Sequence, residues 1–154
     1  MKALIELFKE TGMFKGTLET LYMVFFSTIF AYLVGVPLGV LVVVTEKDGI
    51  KPNRILNLVL GTVINLFRSI PFLILLVLLI PLTRFIVGTS IGSTAMLVPL
   101  TFASTVFVAR LVESALKELD KGVVEQAIVT GATPSQIVFK VFLVEATPAL
   151  IRGL

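Results

Sequence analysis

The chain contains no cysteine and no histidine. The first absence excludes disulfides and thiolate metal sites. The second removes the commonest general base and the commonest metal ligand. Charge is also scarce, at 15% of residues where a soluble domain carries roughly a quarter. Acidic residues sit at the ends of apolar runs or between them, never as a facing pair inside one, so an intramembrane hydrolase or acid–base enzyme has little to work with. No compact apolar stretch with a small-residue cleavage site follows Lys2, so the N-terminal region does not read as a cleavable signal. No residue set points to a metal or a cofactor.

What is present in place of these is hydrocarbon. Over 154 residues the mean hydropathy is +1.05 and 56% of side chains are hydrophobic, outside the range of an ordinary soluble domain. The expected fold class is all-α, a polytopic transmembrane helical bundle lying in the lipid bilayer. The net charge of +3 is modest and serves to orient helices rather than to bind nucleic acid.

Residues 1–16 are amphipathic, with Leu4, Leu7 and Phe8 on one face and Lys2, Glu6, Lys9 and Glu10 off it, as expected of an interfacial helix. Residues 17–154 read as the membrane domain. A first span is predicted over about 21–44, uncharged and long enough for roughly 30 Å of hydrocarbon. It contains Gly35 and Gly39 at small-xxx-small spacing, a packing notch, and Pro37, which should kink it. Thr45 to Arg54 is a loop marked by Asp48-Gly49 and Pro52, and its Lys47, Lys51 and Arg54 put it on the cytoplasmic side.

A second span is predicted over about 55–79. Asn57, Gly61, Asn65 and Arg68 recur on one face, with Ser69 and Pro71 directly after, and Arg68 falls well inside the apolar run. A charge there needs a partner, a cavity or water. Two readings stand side by side: Asn65, Arg68 and Ser69 line a polar passage, or Arg68 is buried in a helix–helix contact and bonded to carbonyls. For Asn57 and Gly61 the packing reading is the simpler one. Residues 81–92, PLTRFIVGTSIG, read as a short loop. A third span over about 93–112 is rich in small and hydroxyl residues, carries Pro99, and ends in an Arg110, Glu113, Lys117 ladder where the helix leaves the membrane.

Residues 120–145 form the polar island around which the chain is organised. Asp120 can cap a short helix, and Gly131 sits where a left-handed residue would end it. Thr133-Pro134-Ser135-Gln136 then has the form of a capping box with proline at its favoured first position. With this island cytoplasmic, Lys47, Lys51, Arg54, Arg110, Lys117, Lys121 and Lys140 lie inside against Lys2, Lys9, Lys15 and Arg84 outside, with the N-terminus outside. Residues 146–154 start a further span, so the chain reads as the front part of a longer, C-terminally truncated membrane protein.

Glu125-Gln126-Ala127, Gly131, and Val141-Phe142-Leu143 resemble the EAA loop of ABC importer permeases, whose pattern is Glu-Ala-Ala, three residues, Gly, nine residues, Ile-x-Leu-Pro. Gln126 stands for the first Ala, Val141 for the Ile and Val144 for the Pro. Together with GTLETLYM, FRSIPF, PLTRFIVGTSIG and VPLTFASTVFVARLVESAL, the chain from Gly16 onward resembles the permease subunit of bacterial methionine importers. That resemblance implies a homodimer of five spans per chain in the bacterial inner membrane, a pair of cytoplasmic ABC ATPase subunits that carry the hydrolysis, and an extracytoplasmic binding protein delivering D- or L-methionine. It also implies that the loop bearing Glu125, Ala127, Gly131 and Ala132 is the coupling helix that engages the ATPase. The competing expectation is a membrane interaction or assembly protein that uses the same island to hold a partner without moving substrate.

Overall fold

In the computed structural model, residues 12–152 are described; most of the expected N-terminal amphipathic segment lies outside them. Among the described residues there is no strand, and the elements follow in the order α1 (Met13–Val44), α2 (Arg54–Ser69), α3 (Phe72–Leu78), α4 (Ile80–Val87), α5 (Ser93–Lys117), α6 (Lys121–Val129), α7 (Pro134–Ile137), a π-helical turn (Val138–Phe142) and α8 (Leu143–Arg152).

Helix α1 has 32 residues, about 48 Å at 1.5 Å per residue, so it starts well before the first apolar position of the expected span and overreaches the hydrocarbon. Its buried side is a row of small residues, Ser27, Ala31, Gly35 and Gly39, one every four positions. That row lets α1 lie directly on α5, the most extensive helix pairing in the fold. A Cβ at Gly35 would stand 2.8 Å from the Thr105 carbonyl oxygen and from Val108 Cβ. One at Gly39 would stand 2.5 Å from the Ala109 oxygen and 2.6 Å from Val112 Cβ. Both contacts advance in the same direction along the two helices, so α1 and α5 run parallel and their C-terminal ends lie at one face. Pro37 and Pro99 end neither helix.

Helix α2 begins at a cap, where Asn53 Oδ1 accepts from the Leu56 N–H at 3.1 Å, and returns antiparallel to α1. Asn57 Nδ2 donates to the Val42 carbonyl at 2.6 Å near the start of α2, and Phe67 packs edge-on against Phe102 near its end. The expected unbroken second span does not form. Ile70 precedes Pro71 and is extended (φ −81°, ψ 124°), as the proline ring requires of its neighbour, and the axes of α2 and α3 differ by 110°. The expected loop over 81–92 is half helix: Pro81 occupies the first turn of α4, where its missing N–H costs nothing, and Gly88 ends α4 at φ +81°. Only residues 88–92 link α4 to α5.

From α5 the chain turns through α6 and α7 and comes back against α5 and α1. Ile137, Phe142 and Ala146 are buried in one cluster with Ala31, Val108, Val112 and Leu116. The Tyr32 hydroxyl donates to the Leu150 carbonyl at 2.9 Å, tying α8 to α1. Outward faces of α1 to α4 are strongly apolar, with Leu33, Leu58, Leu73 and Phe85 all exposed, as suits surfaces that meet lipid or other membrane helices.

Candidate functional site

Two places gather the polar residues singled out in the sequence: the corner between α6 and α7, and the bend between α2 and α3.

The corner is built by three local devices. Asp120 Oδ1 accepts from the Gly122 N–H at 2.9 Å and starts α6. At its end, the Ala132 N–H donates to the Ala127 carbonyl and the Gly131 N–H to the Ile128 carbonyl, both at 3.0 Å, with Gly131 at φ +82°. That pair of bonds is a Schellman motif and needs a left-handed residue where the glycine sits. One residue later the capping box closes: the Gln136 N–H donates to Thr133 Oγ1, and the Thr133 N–H donates to Gln136 Oε1 at 2.8 Å. The angle between the short helices is thus fixed from both sides by residues within one stretch of chain.

Side chains at the corner divide by direction. Glu125 and Gly131 are exposed, beside the exposed apolar Val123, Ile128 and Val129. Ala127 and Ala132 turn inward and pack against the cluster of Ile137 and Phe142, so their small size serves the corner's own packing. An open groove of about 400 Å³ lies against the corner and the second arm, lined by residues that include Gly131, Gln136 and Lys140.

Below the corner, α5 ends in a charge cluster. Arg110 Nη1 reaches Glu113 Oε2 at 2.7 Å, and Lys117 Nζ reaches Glu113 Oε1 at 3.0 Å. Lys117 also meets Glu46 at 3.0 Å, which joins the loop after α1 to the helix that leads into the corner. Glu113 is buried rather than emerging into water, at 5% exposure, between two cations that remain partly exposed. The Arg110–Glu113–Lys117 ladder is a local sequence pattern; the bond to Glu46 depends on the parallel packing of α1 on α5, which no local signal announces.

At the bend, Asn65, Arg68 and Ser69 are all exposed. Ser69 Oγ donates back to the Asn65 carbonyl at 2.8 Å, which spends its proton on its own helix. Arg68 occupies the last turn of α2 at the break, not the interior of a continuous span. Asn57 does not join this group, since its amide is held by Val42 and by Thr45 Oγ1 in the α1–α2 contact. Gly61 has open space where a Cβ would be. The expected four-residue stripe therefore separates into a packing contact at one end and a polar bend at the other. Among the described residues no group of three acidic side chains is placed to hold a metal.

The family of binding-protein-dependent transport system inner membrane components matches residues 35–154. The chain is 52% identical over 141 residues to the D-methionine transport system permease protein MetI of Yersinia pestis, covering 92% of this chain and 65% of that protein. It is 50% identical over 139 residues to the protein of the same name from Escherichia coli K12, covering 90% of this chain and 64% of that one. A solved structure of the MetNI methionine ABC transporter in an inward-facing conformation contains a chain that superposes with a TM-score of 0.87 at 49% identity, over 91% of this chain and 65% of that one. The chain spans less than two thirds of the length of these curated relatives.

Proposed function

Because this chain belongs to the family of binding-protein-dependent transport system inner membrane components, we propose that it is the membrane-spanning permease subunit of an ATP-driven importer of D- or L-methionine. It is a multi-pass membrane protein of the type I ABC importer permease fold. In the proposed assembly it pairs with a second copy, a pair of ABC ATPases bears on the corner, an extracytoplasmic binding protein delivers the amino acid, and hydrolysis belongs to the ATPase.

The observation that carries this reading is the preassembled corner. Gly131 is locked between a Schellman motif and a capping box, and Glu125 with its apolar neighbours is exposed on a short helix that starts at a fresh cap three residues after α5 ends. A docking helix whose angle to a membrane helix is fixed can carry nucleotide-driven closure into the bilayer as a rigid body. Parallel packing of α1 and α5 supports one side for the loop of Lys47, Lys51 and Arg54 and for the corner, and that cation-rich side is cytoplasmic, with the N-terminus outside. Asn65, Arg68 and Ser69 at the bend belong to the translocation pathway.

The test is co-purification of the chain with its ABC ATPase in detergent, paired with radiolabelled methionine uptake in cells that lack their own importer. Glu125→Lys and Gly131→Pro should each abolish both. Intact ATPase association in both variants would remove the coupling role from this corner.

A further inference from the structure

The bend between α2 and α3 brings together two opposite electrostatic features, an unpaired cation and a row of carbonyls without backbone partners among the described residues. Arg68 is exposed and makes no side-chain hydrogen bond or ion pair among the described residues. No carboxylate occurs anywhere between Asp48 and Glu113, so neither this stretch nor the same stretch of an identical copy supplies an anion there. By contrast Arg110 is paired with Glu113, and Arg84 Nε donates to Ser90 Oγ. Arg68 stands in an apolar stretch of chain where its own face of α2 offers the exposed Asn65 one turn back, while the exposed Val63 and Leu66 lie on the other side of the helix. A guanidinium held in such surroundings calls for an anion or a water-filled cavity.

The second feature is the C-terminal end of α2. Pro71 brings no N–H, and Ile70 donates only to the Phe67 carbonyl at 3.4 Å. The carbonyls of Arg68, Ser69 and Ile70 accept no backbone hydrogen bond among the described residues. They carry the negative end of a 16-residue helix, where a cation is favoured. Broken helices at membrane depth expose such groups where they serve a ligand or line a cavity.

The geometry points to a recognition site for the zwitterionic head of a free α-amino acid at this bend, with the Arg68 guanidinium taking the α-carboxylate and the free carbonyls of residues 68–70 taking the ammonium. The fork of the guanidinium matches a carboxylate through two parallel bonds. No other charged residue occurs between Arg54 and Arg84, so the site reads the charged head group rather than the side chain of the amino acid. This site rests on the reading of the chain as an amino-acid permease.

Because the chain has no native cysteine, a single thiol reports cleanly. With Asn65→Cys, one turn from Arg68 on the same face, in the permease–ATPase complex in lipid nanodiscs, free of binding protein, the rate of alkylation by a water-soluble maleimide is measured against millimolar L-methionine, methioninamide (no carboxylate) and N-acetylmethionine (no ammonium). L-methionine should slow alkylation at least threefold, and the two analogues should leave it unchanged. Adding Arg68→Gln should abolish the protection, and Arg68→Lys should keep a weaker one. Equal protection by all three compounds, protection by none, reaction of the thiol only in denaturant, or unchanged protection in Arg68→Gln would each overturn the site. Should Arg68→Gln fail to fold, the three compounds on the Arg68 chain still decide. Uptake without protection would sink this site and leave the importer reading standing; protection without uptake would do the reverse.

Discussion

Gly39→Ala is the sharpest test of how the bundle is held together. The added methyl would stand 2.5 Å from the Ala109 carbonyl oxygen, 2.6 Å from Val112 Cβ and 2.9 Å from Val112 Cγ1. Carbon–carbon contacts settle at about 3.5–4.0 Å, so α1 and α5 must part by roughly 1 Å at this level. Two of the three obstacles cannot swing aside: one is helix backbone and one is a Cβ. A gap of that size forfeits about a quarter to a half of the dispersion energy of each contact it opens, and overpacking of this kind costs about 1–3 kcal/mol. Alanine returns up to about 1 kcal/mol of helix propensity over glycine. The net loss should be about 1–2 kcal/mol, or a melting temperature lower by about 2–8 °C for a chain of this size. Gly61→Ala supplies the opposite sign within the same protein. A Cβ there meets nothing within 4 Å, so only the propensity gain remains and the melting temperature should hold or rise. The assay is thermal unfolding of both variants in one mild detergent. If Gly39→Ala stabilises the chain as Gly61→Ala does, the close approach of α1 to α5 is not what the structure describes.

Other substitutions probe the ties one at a time. Glu113→Gln leaves Arg110 and Lys117 facing a neutral amide; since both cations are more than a third exposed, water recovers part of the loss, and about 1–2 kcal/mol of stability should go rather than the 3–5 of a fully buried pair, read by chemical unfolding. Tyr32→Phe removes the bond to the Leu150 carbonyl and should cost about 0.6 kcal/mol, with faster amide exchange confined to α8. Gly131→Ala places a side chain at φ +82° and should cost about 1 kcal/mol, with lower affinity for the ATPase than the parent chain in a detergent titration.

Features encoded within a few residues are legible in the sequence itself. Asp120, Gly131 and the Thr133–Gln136 box announce themselves by type and spacing, and they sit in the structure as caps of the kind their sequence suggests. Gly35 and Gly39 announce a close approach, though nothing local says that α5 is the partner or that Ser27 and Ala31 extend the row. The second span misled for a different reason. An apolar run long enough to cross the bilayer outweighs a single proline when hydropathy is averaged, yet the proline acts on one peptide: it removes a donor and forces Ile70 out of the helix.

That local rule also separates the polar residues by role. Asn57 lies early in α2, where the antiparallel return brings it against the last turn of α1, and its amide serves the Val42 carbonyl. Arg68 shares the same face three turns later, but the chain turns away just beyond it, so no neighbouring helix end is delivered to it. A helical stripe predicts one environment for all its members only while the helix continues. Once Pro71 ends it, the residue nearest the break is free of the packing that claims Asn57, and a charge costly in an unbroken span becomes accessible to something that is not part of the fold.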